Sequence, residues 1–312
     1  MALLSGRYRL SRREVVAVCE DLLGAPLAVG SVDGLCRATA AALAEPVAEL
    51  AVAIRDVPVA HADETGWKQA GQRQWLWVVT TTLLTVFTLA ASRGRGVITG
   101  LLGEDFGGRL VSDRYSAYGW LPLEQRQVCW AHLRRDFAAL LHGGPSAAEL
   151  GLALLDLTDQ IFAAWQQARA EPATPAARQR LSETLAPLQA EMRALLEAGQ
   201  QQRAAKPAGL SRSLLQVWPA LWTFVHVPGV EPTNNAAERA LRPAVLWRKG
   251  CFGTQSDGGN QFVTRLLSVA ATCRHQQRPL LAYLTAVCTA AHLGQPCPSL
   301  LPAPALTQPQ AA

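Results

Sequence analysis

The sequence predicts an α/β fold: a mixed sheet flanked by helices, preceded by a helical segment and interrupted by an all-helical insertion. Two observations predict this fold. Between residues 57 and 129, apolar residues alternate with a period of two in several short runs, which is typical of strands. From 131 to 227 the apolar residues instead recur at helical spacing, and apolar helices follow again after residue 233.

The N-terminal segment, 1–56, is predicted to form helices around a Gly/Pro turn, with a break near Pro46. A capping box at Ser11 and Glu14 marks the first helix start. Such a pair suits a helix-turn-helix whose arginines could meet phosphates, but it also suits an ordinary helical hairpin packed on the next domain. The arginines concerned are Arg7, Arg9, Arg12 and Arg13.

Five strand candidates follow the N-terminal segment, and their order supports the fold prediction. They are residues 57–67, 74–80, 84–91, 108–113 and 125–129. Short connections make the first three antiparallel neighbours, and a helix over 94–102 separates the third from the fourth. Three hairpin strands followed by helix, strand, helix and strand match the ribonuclease H-like layout. In that layout the first and fourth strands lie side by side.

Two long amphipathic helices, 146–170 and 175–197, dominate the block that follows, and a Gly-rich turn at 251–259 precedes two apolar helices. The proline-rich end of the chain is predicted to be disordered. The predicted organisation is therefore a helical segment at 1–56, a ribonuclease H-like catalytic domain at 57–130 and 229–293, a helical insertion at 131–228, and a disordered tail at 294–312.

Composition narrows the class of protein. The chain is 49% hydrophobic and 17% charged, which fits a globular protein with a sizeable core. A net charge of +5 permits a nucleic-acid partner without requiring one. The seven cysteines are widely spaced and form no Cys-x-x-Cys pair, which disfavours a disulfide framework. No signal peptide and no apolar run near ~20 residues is visible, so we expect a cytoplasmic protein with no membrane segment.

Three acidic residues are the candidate site. Asp63 lies on the first predicted strand, Asp113 ends the fourth, and Glu238 lies in a late helix. Three carboxylates brought together would suit hard divalent cations. Each has a structural alternative. Asp113 could cap a local turn, the adjacent Glu64 could replace Asp63, and Glu238 could complete a capping box with Asn235.

The residues around these acids are specific. Four stretches occur in order: HADETGW at 61–67, SDRYSAY at 112–118, CWAHLRRDF at 129–137 and TNNAAERALR at 233–242. Together they closely resemble the DDE transposases of the insertion sequence 66 family, a bacterial insertion-sequence family, over about Tyr8 to His292. The resemblance implies a ribonuclease H-like fold with a helical insertion, and a catalytic triad of Asp63, Asp113 and Glu238.

The resemblance also implies an activity. That activity is Mg²⁺-dependent hydrolysis of phosphodiesters at the ends of a mobile element, with Mn²⁺ as a substitute, followed by transfer of the freed 3′-OH into target DNA. It implies DNA as partner, a homo-oligomer on paired ends, and a bacterial, nucleoid-associated location. Family members commonly begin with a longer N-terminal region that this chain lacks. The alternative expectation is therefore a truncated, non-catalytic DNA-binding remnant.

Basic residues and a Cys-x-x-His element complete the candidates. The tentative DNA-binding residues are Arg239, Arg242, Arg248, Lys249, His132 and Arg135. The basic segment could instead be a solvated face with local ion pairs. Cys129 and His132 could be half of a zinc site, or a buried cysteine with a hydrogen-bonded histidine. By resemblance to transposases with a helical insertion, they could instead be a structural element or one that positions a DNA strand.

Overall fold

A computed structural model describes residues 1–302. Five strands form: β1 (Val59–Gln69), β2 (Gln72–Thr80), β3 (Thr85–Ala90), β4 (Arg109–Ser112) and β5 (Arg126–Val128). β1, β2 and β3 pair antiparallel in chain order, whereas β4 and β5 pair parallel. The predicted α/β class is confirmed: strand directions are mixed, helices are many, and the chain suits a ribonuclease H-like fold with a helical insertion.

Thirteen α-helices lie within the described residues. Those before β5 are α1 (Arg12–Leu23), α2 (Val29–Ala42), α3 (Ala44–Ala53) and α4 (Arg95–Leu102). Those after β5 are α5 (Trp130–Ala138), α6 (Pro145–Ala170), α7 (Pro175–Gly199), α8 (Ala205–Gln216), α9 (Trp218–Leu221), α10 (Thr223–His226), α11 (Asn235–Cys251), α12 (Asp257–His275) and α13 (Leu280–His292). Over residues 1–302, none of these helices combines the length and apolar character that a bilayer span requires.

The chain divides into two compact units. The split unit consists of Met1–Gly108 together with the described chain from Asn235 onward, and the continuous unit is Arg109–Asn234. The split unit contains β1–β3, α1–α4 and α11–α13. The continuous unit contains β4, β5 and α5–α10.

In the split unit, helix α12 covers the outer edge of β3. The backbone amide of Thr85 donates to Thr272 Oγ1 at 3.0 Å, and that of Phe87 donates to Ser268 Oγ at 2.8 Å. Strand edges otherwise present unpaired amides, so these two hydroxyls satisfy groups that the three-stranded meander leaves open. The contact fixes α12 against the sheet.

The N-terminal helices pack within the same unit. Ser11 and Glu14 exchange the two hydrogen bonds of the predicted capping box. The break in the second helical run falls at Leu43, because Pro46 lies in the first turn of α3, where proline is tolerated. Helix α2 rests on α12, and Arg265 Nη1 donates to the Ala40 carbonyl oxygen at 2.8 Å. The helix-turn-helix interpretation stays a prediction.

The turn after α11 is joined to the end of β1. The Thr254 amide donates to the Lys68 carbonyl oxygen at 2.9 Å, and the Ala70 amide donates to the Thr254 carbonyl oxygen at 2.8 Å. A Cβ on Gly253 would stand 2.2 Å from the Lys68 carbonyl oxygen, and its φ is +120°. Glycine is therefore required there, which explains the Gly-rich turn in the sequence.

In the continuous unit, buried polar groups join β5 to α9 and α10. Gln127 is fully buried; its Nε2 donates to the Leu221 carbonyl oxygen at 3.1 Å, and its Oε1 accepts from the Phe224 amide at 2.8 Å. Trp130 Nε1 also donates to the Leu221 carbonyl oxygen, at 2.8 Å. Between β4 and β5 the structure has two 3₁₀ turns, Ser116–Tyr118 and Leu123–Gln125, where the strand order predicted a helix.

Part of the predicted disordered tail is packed. Leu300 is fully buried, and the carbonyl oxygen of Pro298 accepts from the Tyr283 hydroxyl at 2.8 Å. Ser299 Oγ donates to Glu49 Oε2 at 2.6 Å. Over 294–302 the structure thus differs from the prediction, because one leucine and several backbone carbonyls find partners that composition does not reveal. The rest of the predicted tail, 303–312, lies outside the described residues.

Candidate active site

Asp63 is held by the best-paired strand of the split unit. β1 pairs with β2 along its length, and Asp63 faces Val78 in the register. Its neighbours Ala60 and Ala62 are fully buried, while Asp63 itself is half-buried. Asp63 Oδ1 accepts from the Glu64 amide at 2.8 Å. A regular strand thus presents this carboxylate at a fixed position.

Glu64, the alternative to Asp63, forms an ion pair. Its side chain is 1% exposed, and Oε1 lies 2.6 Å from Arg93 Nη2 and 2.7 Å from Arg93 Nε. The Arg93 guanidinium also lies 4.7 Å from the centre of the Trp75 ring. A buried carboxylate needs such a partner, so the main role of Glu64 is to hold Arg93. This favours Asp63 as the functional acid.

Glu238 lies in the first turn of α11. The buried residues of that helix recur at helical spacing, which fixes the opposite face outward. They are Ala237, Ala240, Leu241, Ala244 and Trp247. The helix begins at Asn235 itself, so Glu238 is its fourth residue. The capping box between Asn235 and Glu238 stays a prediction.

Asp63 and Glu238 line the same open pocket, of about 430 Å³. Its other lining residues are Glu64, Thr65, Asn235, Arg239, Leu241, Arg242 and Val245. Three carboxylates, Asp63 and Glu64 from β1 and Glu238 from α11, therefore share a solvent-open pocket with two arginines. Carboxylate oxygens are the ligands that hard divalent cations prefer, and arginines suit phosphate oxygens.

The predicted cations of α11 divide into two kinds. Arg239, Arg242 and Lys249 are exposed. Arg248 is half-buried, and its Nη1 donates to Thr65 Oγ1 at 3.1 Å and to the Gly66 carbonyl oxygen. Arg248 therefore anchors α11 to β1, a role that spacing along the sequence could not show.

Asp113 belongs to the continuous unit and directly follows β4. It is half-buried, and its Oδ1 accepts from the Tyr115 amide at 2.9 Å, so the turn role expected of it is real. Arg126, only 6% exposed, begins β5. Burial lowers the pKa of Arg126, and the negative charge of Asp113 acts against that shift.

The segment after Asp113 is braced by an ion pair that the sequence analysis missed. Arg114 Nη2 lies 2.5 Å from Asp136 Oδ2, and Arg114 Nη1 donates to Ser213 Oγ at 2.8 Å. These contacts join the end of β4 to α5 and α8. Arg114 and Asp136 both lie in the quoted motifs, but nothing in their spacing pairs them.

Cys129 and His132 lie at the start of α5. Cys129 is fully buried, and its Sγ accepts from the Asn234 amide at 3.1 Å. A ring nitrogen of His132 lies within 4.8 Å of that sulfur, and His132 Nε2 is 3.3 Å from Arg135 Nη2. The buried, hydrogen-bonded cysteine agrees with the structural alternative. The tentative DNA-binding roles of His132 and Arg135 stay predictions.

Comparison with known proteins places this geometry in a family. The profile described as "Transposase IS66 family" matches residues 10–262, most of the chain. The chain belongs to that family. It is also 27% identical over 251 residues to the uncharacterized protein y4qI of Sinorhizobium fredii (strain NBRC 101917 / NGR234). That match covers 72% of this chain and 45% of the relative, so the chain spans less than half of that protein's length.

Proposed function

We propose that this chain cuts and joins DNA as a transposase, with Asp63, Asp113 and Glu238 as its catalytic carboxylates. The observation that carries the proposal is the pocket that Asp63 and Glu238 share with Arg239 and Arg242. Family membership supports a transposase function in general. Asp113 enters through its motif, and the proposal requires its carboxylate to act together with the other two.

The donor set fits a divalent cation, because Asp63 and Glu238 are half-buried carboxylates that line one solvent-open pocket, and such cations prefer carboxylate oxygens as ligands. Asp63, Asp113 and Glu238 would hold it, with Mg²⁺ as the proposed ion and Mn²⁺ as a substitute. Such cations activate water and stabilise the charge that develops on a phosphodiester in the transition state.

The protein groups would position the reacting phosphate. Arg239 and Arg242, exposed at the pocket, would neutralise the DNA backbone. In the first step, a water oxygen bonds to phosphorus and the 3′ oxygen leaves as a hydroxyl. In the second, that 3′-OH attacks a phosphodiester of the target, whose own 3′ oxygen leaves. We further propose that a homo-oligomer brings two element ends together.

Nicking and joining of a supercoiled plasmid tests this function. The purified protein is assayed with Mg²⁺ or Mn²⁺ and with EDTA, beside Asp113→Asn and Glu238→Gln. We expect metal-dependent products, and a loss of roughly a thousandfold or more in each variant, because losing a metal ligand removes several kcal/mol of transition-state stabilisation. Glu197→Gln, at an exposed position of helix α7, is the matched control and should retain activity.

The products separate the alternatives. Nicks without joined strands indicate a general metal-dependent nuclease. DNA binding by a folded wild type that never cleaves supports the non-catalytic DNA-binding protein. Undiminished cleavage by Asp113→Asn contradicts the assignment of the triad.

A further inference from the structure

A second cavity of the split unit, of about 170 Å³, carries positive charge at its edge. Its lining includes apolar residues of β3, α11 and α12 together with Arg7, Arg274 and Arg278. None of the described residues that line it is acidic. Its three arginines are therefore the charged groups that this cavity offers to a ligand.

Close packing at Gly6 positions Arg7. Gly6 is buried in the π-helical turn Leu3–Arg7, and a Cβ there would stand 1.7 Å from Leu266 Cδ2. This turn therefore lies directly against α12. The next residue, Arg7, is exposed at the same cavity that Arg274 lines two helical turns beyond Leu266.

Arg239 joins this group from α11. The charges of both Arg7 and Arg239 act on Arg274: partial burial lowers the pKa of Arg274, and these two positive charges lower it further. Burial likewise lowers the pKa of the adjacent His275, and the charges of Arg274 and Arg239 add to that effect. Two guanidinium groups from other segments thus repel that of Arg274. The geometry agrees, because Ala240, next to Arg239 in α11, lines the same cavity as Arg7 and Arg274.

Arg278 differs from these three. Its Nη1 donates to the Ser299 carbonyl oxygen at 3.1 Å, and its guanidinium lies 5.0 Å from the centre of the Tyr283 ring. Arg278 is thus committed to holding the end of the described chain. By contrast, among residues 1–302 the side chains of Arg7, Arg239 and Arg274 form no hydrogen bond or ion pair.

We propose that Arg7, Arg239 and Arg274 form a binding surface for the phosphates of a DNA backbone that leads to the carboxylate pocket. Arg239 links this binding surface to the carboxylate pocket, because it also lines the pocket that contains Asp63 and Glu238. A phosphodiester backbone would relieve the repulsion among the three cations, since each can neutralise one phosphate. The inference rests on the proposed function, because that function supplies DNA as the ligand.

Salt-dependent DNA binding tests the surface without catalysis. A labelled duplex of arbitrary sequence is titrated with the protein in EDTA at several salt concentrations, and anisotropy gives the binding constant. For Arg7→Gln and Arg274→Gln, we expect several-fold weaker binding. We also expect the slope of log K against log salt to fall by about one for each arginine removed. Arg274→Lys, which keeps the charge, should retain most of the slope.

Arg193→Gln is the matched control, because it removes the same charge from an exposed arginine that Glu197 already neutralises. It should leave the slope unchanged. Binding by Arg7→Gln and Arg274→Gln that equals wild type in strength and slope overturns the inference, as does equal loss in the control. Binding of inorganic phosphate that depends on these arginines, without any effect on DNA binding, also overturns it.

The same proteins separate this inference from the proposed function. If the wild type cleaves plasmid and Arg274→Gln binds DNA normally, the proposed function is supported and the proposed binding surface is contradicted. If the wild type never cleaves but the salt dependence of its DNA binding depends on Arg7 and Arg274, the binding surface is confirmed and the proposed catalytic function is contradicted.

Discussion

The two units of the molecule differ in how their arginines are paired with carboxylates. In the continuous unit four exposed arginines are matched with nearby carboxylates, whereas Arg203 and Arg212 are exposed without an ion pair to any residue in 1–302. The pairs are Arg134 with Asp159, Arg169 with Glu231, Arg180 with Glu171, and Arg193 with Glu197. In the split unit Arg12 and Arg37 pair with Asp33, but among residues 1–302 the side chains of Arg7, Arg239, Arg242 and Arg274 form no ion pair. The positive charges of Arg7 and Arg239 also act on Arg274. Overall net charge, which averages over both, does not reveal this difference.

The contrast shows where positive charge is available. An exposed ion pair contributes little to stability, but its two opposite charges largely cancel each other's electric field in solution. Unmatched arginines on α11, α12 and the N-terminal turn keep their field. Arg239 and Arg242 line the pocket of Asp63, Glu64 and Glu238, and Arg7 and Arg274 line the second cavity. A phosphate ligand is what such an arrangement of charges can bind.

The largest stability effect should come from the buried pair of the split unit. Arg93→Ala leaves Glu64 buried without its partner, because the Glu64 side chain is only 1% exposed. We expect a loss of about 2–3 kcal/mol in the free energy of unfolding, less than for a fully buried pair, because water can reach the 37%-exposed Arg93 side chain. Urea unfolding measures it. A loss below about 0.5 kcal/mol would place this pair with the surface pairs.

A smaller effect should appear as a pH dependence near His275. Its pKa is lowered from 6.5 in the folded protein, first by burial and then by Arg274 and Arg239. The unfolded chain therefore binds this proton more readily, so stability should fall as the pH drops through 6.5 and level off below the folded pKa. NMR titration of the His275 ring should show its pKa rising in Arg274→Gln. An unchanged His275 pKa in Arg274→Gln would show that the positive charge of Arg274 does not act on this ring.

The smallest effect should come from a matched pair of the continuous unit. Arg193→Ala removes an exposed i,i+4 partner of Glu197, with the two atoms 3.0 Å apart. We expect a loss of only about 0.3–0.5 kcal/mol, because solvent screens the pair. Thermal unfolding compared with the wild type checks this. A loss of several kcal/mol would mean that the exposed pairs of α7 are structural.

Most of the fold was predictable from the sequence, because it depends on local patterns. Alternating apolar residues placed β1 to β5 within about two residues, and prolines and caps placed the long helices. The errors arose where partners are distant. Leu300 packs against groups that composition cannot identify, and the short turns between β4 and β5 follow packing rather than propensity.

The candidate site was predictable in part. The motifs identified Asp63, Asp113 and Glu238, and the structure brings Asp63 and Glu238 to one pocket. Without the family resemblance, the residues alone could not separate Asp63 from Glu64, since only the folded chain supplies Arg93 as the partner of Glu64. Arg274 gave no signal either, because an arginine at the end of an apolar helix is also typical of a helix C-terminus.

The division of the split unit between two stretches of chain has a consequence for synthesis on the ribosome. The amides of β3 meet hydroxyls of α12 that lie 181 and 187 residues later in the sequence. During translation, β1 to β3 therefore emerge long before the helix that covers their edge exists. The continuous unit can fold before α12 is synthesised. During that time, we expect the exposed edge of β3 to be the part of the nascent chain most prone to aggregation.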